Sequence, residues 1–234
     1  TGGPAYYISQ GLGSKTLAAF FSVAIIIALG FVGNMVQANS IAGAFYTAFN
    51  VPTWITGIFT FIIAGFIFIG GIRRIASFAE KMVPIMALIY VIGSLTIIFT
   101  NLEGVMHAFE MIFVGAFDPM AATGGVIGAG IKEAIRYGVA RGLFSNEAGM
   151  GSTPHAHALA KVNHPREQGA VAILGVFIDT IVICSCTAFI MLVTPAADIQ
   201  GLEGMGLLQA SMEYHLGQFG VIFIAVILWL FSFS

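Results

Sequence analysis

The sequence predicts an all-α membrane protein, and three observations carry this prediction. Of its 234 residues, 58% are hydrophobic and 9% are charged, and the mean hydropathy is +0.96. Soluble domains carry about 25% charged residues, so most of this chain is expected to face lipid. Long apolar stretches recur between short polar segments, and roughly 20 apolar residues of helix cross a bilayer. The basic residues fall in alternate connections between these stretches.

The composition also excludes several classes of function. A formal net charge of −2 offers no basic surface to a nucleic-acid backbone, so no nucleic-acid partner is expected. The two cysteines, Cys184 and Cys186, are two residues apart in an apolar run, and two cysteines alone make no metal or disulfide framework. No Ser/His/Asp or Cys/His arrangement has a spacing typical of a catalytic centre. We therefore expect neither an enzyme, nor a metal centre, nor an organic cofactor.

Six apolar stretches are predicted to span the membrane within a single transmembrane domain. They cover residues 17–49, 54–75, 83–100, 105–139, 170–193 and 217–234. Pro52 and Pro84 lie near the starts of the second and third stretches, where a missing N–H costs little. The fourth is predicted to break near 118–125, because Asp118-Pro119 and Gly124-Gly125 interrupt it. The amphipathic piece Leu207–Leu216 is placed at the membrane interface.

The charged residues predict the orientation of these spans. The basic residues lie before the first span, in the last residues of the second span and the connection after it, and in the last residues of the fourth span and the connection after it: Lys15, Arg73, Arg74, Lys81, Lys132, Arg136, Arg141, Lys161 and Arg166. The three other connections carry Glu103, Asp198, Glu203 and Glu213, and no Lys or Arg. Because short loops rich in Lys and Arg stay in the cytoplasm, we expect the basic connections to be cytoplasmic.

Polar residues inside the spans are the candidate functional residues. Asn34 and Gln37 are three residues apart and share one helix face at mid-depth. Their amides either hold neighbouring helices together or line a path for a small zwitterion, since an amide both donates and accepts hydrogen bonds. Asp179 lies mid-span, where a carboxylate costs about 2.5 to 3.5 kcal/mol. A coupling cation, a proton or a hydrogen bond from another helix would offset that cost.

The predicted break in the fourth span is a further candidate site. Non-helical backbone at membrane depth is tolerated where it is buried or lines a cavity, and secondary transporters bind substrate at such breaks. We therefore expect a small substrate to contact two half-helices at the residues Ala121, Ala122, Thr123, Gly124 and Gly125. The alternative is a tight re-entrant turn that binds no ligand.

Four segments of the chain form a pattern that is specific when they are taken together. They are Gly2-Gly-Pro-Ala-Tyr-Tyr-Ile8, Gly33-Asn-Met-Val-Gln-Ala-Asn-Ser40, Arg136-Tyr-Gly-Val-Ala-Arg-Gly-Leu-Phe-Ser-Asn-Glu-Ala-Gly-Met-Gly-Ser152 and Gly175-Val-Phe-Ile-Asp-Thr180. Together they resemble the alanine or glycine:cation symporter family, which is usually sodium-coupled. The resemblance covers essentially the whole chain. It departs from the family pattern at Ala5, where Met is expected, and at Thr153-Pro-His155, where Ala-Pro and an aliphatic residue are expected.

The resemblance implies a partial five-plus-five inverted-repeat (LeuT-like) transporter fold. The chain would then be a fragment that holds the third to eighth core helices, without the first, second, ninth and tenth. It would belong to a multi-pass protein of the plasma (cell inner) membrane. Ser232 and Ser234, in the eighth core helix, become cation candidates beside Asp179, since hydroxyl oxygens suit a hard ion. Serines in membrane helices also bond to their own backbone, which is the alternative for both.

The function implied by the resemblance is sodium-coupled symport of alanine or glycine by alternating access. Na⁺ would be the coupling ion, with H⁺ as the alternative, and the partners would be the amino acid and the lipid bilayer. A proton-coupled small-solute carrier or a channel with the same spans is the competing expectation. A channel, however, has no need of both a broken helix and an amide cluster at one depth.

Overall fold

The computed structural model describes residues 2–117, 135–140, 142–143, 145, 147, 149–195, 199 and 201–233, with only the backbone described for 72 and 115–117. Every regular element in these residues is a helix, which confirms the predicted all-α class. The chain divides into two compact units. Unit 1 comprises Thr1–Asn34 and Ile112–Cys184, and unit 2 comprises Met35–Met111 and Ser185–Ser234.

The helices follow the apolar stretches of the sequence. In chain order they are α1 (Pro4–Gly11), α2 (Lys15–Phe49), α3 (Thr53–Phe68), α4 (Gly71–Thr100), α5 (Leu102–Phe117), α6 (Thr153–His157), α7 (Pro165–Val193), α8 (Gly204–Leu216) and α9 (Gln218–Phe233). Residues 135–140 are also helical. The predicted break at 118–125 lies outside the described residues, so it remains a prediction.

Three of the described helices are long and apolar enough to cross a membrane. They are Lys15–Phe49, Arg73–Thr100 within α4, and Pro165–Val193. The apolar helices α3 and α9 have 16 residues each and are shorter than that length. These helices indicate a multi-pass membrane protein, while the count of six spans stays a prediction.

The second and third stretches differ from their predicted bounds. The helix α3 ends at Phe68, and α4 begins at Gly71, whose φ of +69° favours glycine over other residues. The interpretation of Pro84 as a residue near a helix start is therefore wrong, because Pro84 lies inside the 30-residue helix α4. Proline in a helix interior leaves the carbonyl four residues before it without its usual donor. Membrane helices tolerate such positions because neighbouring groups or local adjustments re-satisfy the backbone.

Each of the long helices α2 and α7 contains a π-helical segment. The segment in α2 is Ile26–Gly33, and the segment in α7 is Ile178–Ile183. A π-helix bonds each N–H to the carbonyl five residues before it, and such segments are frequent at functional sites. The first segment ends directly before Asn34, and the second contains Asp179. Both candidate polar positions are therefore associated with a local departure from α-helix.

Small residues allow close helix packing in unit 2. Ala44 and Ala48 of α2 pack against Val221 and Ala225 of α9 in one buried cluster. The buried amide of Gln209 in α8 donates to the Ala44 carbonyl at 3.0 Å. With little hydrophobic gain available between helices in lipid, such close backbone approach and interhelical hydrogen bonds stabilise the bundle. The helix α8 is thus held inside unit 2 by its buried residues.

In unit 1, α1 packs against the segment that leads into α6. Gly151 has a φ of +78°, and a Cβ there would lie 2.7 Å from the Phe21 ring and 3.0 Å from Pro4. The ring of His155 stacks on Phe21 with a centroid distance of 6.3 Å, and its Nδ1 lies 3.0 Å from the Gly151 carbonyl oxygen. Glycine at position 151 is therefore required both by its backbone conformation and by the space available.

His215 links α8 to the end of α7 within unit 2. Its Nε2 lies 3.1 Å from Oγ1 of Thr194, a buried residue whose hydroxyl donates to the Ile190 carbonyl at 2.8 Å. A hydroxyl has one proton to donate, so His215 Nε2–H is the donor in its contact with Thr194. Burial lowers the pKa of His215, because desolvation disfavours the charged imidazolium.

The lowered pKa of His215 predicts a loss of stability in acid. As pH falls below the ordinary His value of 6.5, the unfolded state takes up a proton that the folded state does not, so the free energy of unfolding decreases. Thermal denaturation of the detergent-solubilised protein between about pH 7.5 and 5.5, where histidine titrates, is expected to show this decrease. His215→Gln should reduce it, because the glutamine side chain has no group that titrates in this range. Identical pH profiles for the parent and His215→Gln would contradict the assignment.

Candidate functional site

The clearest polar constellation in unit 1 surrounds Asp179. Its half-buried side chain projects from the π segment of α7, and its Oδ2 accepts a hydrogen bond from Ser145 Oγ at 2.7 Å. The Sγ atom of the exposed Cys184 lies 3.6 Å from the same Ser145 oxygen. Because the serine proton goes to Asp179, the Cys184 thiol is the donor in the second contact. The hydrogen bonds thus run from Cys184 through Ser145 to Asp179.

The π segment brings Asp179 and Cys184 to one side of α7. The backbone N–H of Cys184 donates to the carbonyl of Asp179, five residues earlier. This bonding pattern stacks residues five apart, whereas residues five apart in an α-helix do not face each other. One serine can therefore contact both side chains.

A second carboxylate, that of Glu147, contacts the start of α6. Glu147 has a φ of +52°, and its Oε2 accepts hydrogen bonds from Ser152 Oγ at 2.5 Å and Thr153 Oγ1 at 2.7 Å. At the other end of α6, His157 Nδ1 lies 2.5 Å from Nε2 of Gln168 in α7. The segment that carries Ser145 is therefore tied at α6 to the helix that carries Asp179.

The two candidate amides of α2 are exposed along the helix. Asn34 donates through Nδ2 to the Gly30 carbonyl at 3.0 Å, so its side chain bonds to the π segment of its own helix. Gln37 lies one turn further along α2. Within unit 1, the described contacts of Asn34 and Asp179 do not join the two side chains into one group. The roles of Asn34 and Gln37 as helix glue or path lining both stay open.

The remaining predicted site residues divide between unit 2 and the part of the chain that is not described. Ser232 is half-buried in α9, between Phe231, whose ring meets Tyr90 edge-on, and Phe233, which stacks on Trp229. The substrate candidates Ala121, Ala122, Thr123, Gly124 and Gly125 and the cation candidate Ser234 lie outside the described residues. Their roles remain predictions.

Two polar contacts were not anticipated from the sequence. Ser145 is separated from Asp179 by 34 residues, and no periodicity connects them. In unit 2, the buried Tyr90 OH lies 2.6 Å from Thr187 Oγ1 and joins α4 to α7. The only available signal for Ser145 was its position inside the Arg136–Ser152 stretch on which the family resemblance rests.

The Asp179 constellation offers the chemistry of a site for a hard cation. A carboxylate provides two oxygens with about four lone-pair positions, and the neighbouring hydroxyl provides another oxygen. Oxygen ligands are those that hard cations prefer. Within the described ranges, no group of three or more His, Cys, Asp and Glu side chains could hold a metal ion.

The structure contains helices long enough to cross a membrane, and one of them carries the carboxylate of Asp179. These features define the class of multi-pass membrane proteins with an ionisable group inside a span. The whole chain, residues 1–234, matches the sodium:alanine symporter family, and the protein belongs to that family. This confirms the resemblance read from the motifs. The family is one of transporters and not of enzymes.

Several curated relatives are similar along the chain. A protein named putative sodium/proton-dependent alanine carrier protein YrbD, from Bacillus subtilis, is 43% identical over 246 residues, with 100% of this chain and 50% of the relative covered. A probable sodium/glutamine symporter of the same organism is 41% identical, covering 99% and 48%. A sodium/proton-dependent alanine carrier protein of a Bacillus species is 37% identical, covering 90% and 50%. The chain spans about half the length of these relatives.

Proposed function

We propose that the protein to which this chain belongs is a secondary active transporter of the plasma membrane. It moves a small neutral amino acid, alanine or glycine, together with a cation by alternating access. The family membership supports the transport class, and the long apolar helices support the membrane location. Relatives named as carriers of alanine and of glutamine support an amino acid as the substrate.

The observation that carries this proposal is the position of Asp179. It is the one charged residue between Ala170 and Val193, so α7 holds a carboxylate inside an otherwise uncharged span. Its π-helical backbone and the Ser145 hydrogen bond hold it in place without supplying a positive charge. Ionisable groups inside membrane segments mark ion pathways and proton relays. A cation that binds at Asp179 would neutralise the carboxylate and thereby couple its own gradient to transport.

Sodium is the proposed coupling ion, with the proton as the competing one. The oxygens of the Asp179 carboxylate and of the Ser145 hydroxyl are ligands of the kind that a hard cation prefers. Two relatives are named as sodium/proton-dependent carriers, so coupling to the proton is one of the outcomes that the test distinguishes. No organic cofactor enters the proposal.

The substrate site proposed for the amino acid combines two parts of the chain. The amides of Asn34 and Gln37 can donate to a carboxylate and accept from an ammonium group. Residues 121–125 are small, so a pocket there would admit a short side chain. Backbone N–H groups at the start of a half-helix would hold the substrate carboxylate, where the helix dipole favours negative charge.

Counterflow into liposomes tests the transport class. The full-length protein that carries this chain is reconstituted, loaded with unlabelled alanine and exposed to labelled alanine with sodium on both sides. A carrier is expected to accumulate label transiently, because it exchanges the two pools, whereas a channel only equilibrates them. Repeating the measurement with sodium replaced by choline, and with glycine or glutamine as the loaded amino acid, separates the coupling ion and the substrate. The absence of any overshoot with all three amino acids would refute the proposal.

The amides of α2 give a more specific prediction. Gln37→Ala is expected to raise the KM for alanine by about tenfold or more, since a hydrogen bond to a charged group contributes about 1.5 to 3 kcal/mol. Asn39→Ala is the matched control, because Asn39 is an exposed amide two residues away and points elsewhere on the helix. The measurement is uptake into liposomes at equal protein content. A larger loss in the Asn39 variant than in the Gln37 variant would assign the path to the other face.

A further inference from the structure

Ser145 contacts the helix α7 from a segment that is distant in the sequence. Its hydroxyl reaches Asp179 Oδ2 at 2.7 Å from a segment 34 residues away in the chain. The serine itself is exposed, so the contact does not result from side-chain burial. A hydroxyl that donates to a carboxylate makes a charge-assisted hydrogen bond, which is stronger than a neutral one.

The hydrogen bond restricts the orientation of the carboxylate. One oxygen of Asp179 is held by Ser145, and the backbone around Asp179 is fixed by the π segment. A side chain that is already oriented loses less rotamer freedom when it binds, a cost otherwise of about 0.5 to 1.5 kcal/mol for each immobilised side chain. Functional groups held by neighbouring hydrogen bonds in this way are preorganised for their ligand.

We propose that Ser145 is a positioning residue for the coupling cation, and that its hydroxyl holds the Asp179 carboxylate in the orientation that binds the ion. This inference rests on the proposed function, because it assigns a partner to the carboxylate at the proposed cation site. Ser145 acts through Asp179 and not on the amino acid. Its loss therefore weakens cation binding and leaves the amino-acid site intact.

The test separates this role from a purely structural one. Sodium-driven alanine uptake by the full-length protein in liposomes gives the sodium concentration for half-maximal uptake and, at saturating sodium, the KM for alanine. Ser145→Ala is expected to raise the half-maximal sodium concentration by about tenfold, which corresponds to about 1.4 kcal/mol. The KM for alanine should change by less than about twofold, a difference well below 1.4 kcal/mol. Ser145→Thr keeps a hydroxyl and should therefore show the half-maximal sodium concentration of the parent protein.

A matched control comes from the same connection. Ser152→Ala also removes a serine hydroxyl, but this hydroxyl donates to Glu147 and not to Asp179. Its half-maximal sodium concentration should stay at the parent value. If Ser145→Ala does not accumulate, Ser145→Gly provides the same test, since glycine also lacks the hydroxyl and is expected to show the same increase.

Cys184 supplies a second readout that does not depend on transport. It is exposed, while Cys186 is buried, and its Sγ lies 3.6 Å from Ser145 Oγ. In a variant whose only cysteine is Cys184, sodium is expected to slow labelling by N-ethylmaleimide relative to choline. Ser145→Ala in that background should shift the protective sodium concentration upward by the same factor as in uptake.

The outcomes distinguish a failure of the proposed function from a failure of the role proposed for Ser145. If the parent protein shows no counterflow, the proposed function fails. If the parent transports and Ser145→Ala lowers only the maximal rate, with an unchanged half-maximal sodium concentration, Ser145 merely ties its segment to α7 and the inference is overturned. Failure of Ser145→Thr to restore the parent value, or labelling of Cys184 that does not respond to sodium, overturns it as well.

Discussion

Replacement of Asp179 by Asn is expected to lower sodium-driven uptake of alanine by at least about tenfold. The amide keeps the shape of the side chain, and its oxygen can still accept the hydrogen bond from Ser145, but the negative charge is lost. A charged partner for a cation is worth most where water is scarce, because charges interact more strongly at low dielectric constant. A tenfold loss corresponds to about 1.4 kcal/mol, which is modest for such a site.

The control for Asp179→Asn lies in the same helix. Glu167 is an exposed carboxylate in the first turn of α7, so Glu167→Gln makes the same chemical change outside the apolar span. This variant should transport within about twofold of the parent, because removal of a surface charge rarely changes stability by more than about 0.5 kcal/mol. Unchanged sodium dependence in Asp179→Asn would instead favour a role for this side chain in helix packing.

Gly220→Ala is expected to destabilise unit 2 more than other glycine substitutions in this part of the chain. A Cβ at Gly220 would overlap the Met212 carbonyl oxygen and would lie 2.7 Å from the Met212 carbonyl carbon. These are backbone atoms of α8, so the whole helix has to move. The movement would disturb the fully buried Met212 side chain and the hydrogen bond from Gln209 to Ala44. Overpacking of this kind costs about 1 to 3 kcal/mol, and occasionally more.

Thermal denaturation in detergent measures this effect. About 2 kcal/mol corresponds to a decrease in Tm of roughly 4 to 8 °C for a chain of this size. Gly206→Ala is the matched control, because no atom lies within 4 Å of a Cβ at this position in α8. That change should leave Tm unchanged or slightly higher, since alanine favours helix by about 1 kcal/mol over glycine. Equal Tm values for the two variants would show that α8 and α9 are free to separate.

Several features of the protein could be predicted from local sequence. The run Leu17–Phe49 is apolar, and its helix extends over Lys15–Phe49. The stretch 170–193 became part of Pro165–Val193, and its one charged residue identified Asp179 as a candidate. These predictions succeed because the thickness of the bilayer determines how many apolar residues a spanning helix needs, and such a run can be recognised in the local sequence. Boundaries were less predictable, as Pro84 shows, because membrane helices tolerate an interior proline.

The sequence by itself therefore determined the all-α class, the family and the apolar helices, all of which depend on composition and on neighbouring residues. Only the tertiary structure decided which side chains meet. The π segment at Ile178–Ile183 stacks Cys184 beside Asp179, although α-helical spacing would separate them. Ser145 reaches the same carboxylate from 34 residues away, and Gly220 meets the backbone of the preceding helix. Such contacts depend on how distant segments pack together, and hydrophobic periodicity describes only which residues of each segment face away from water.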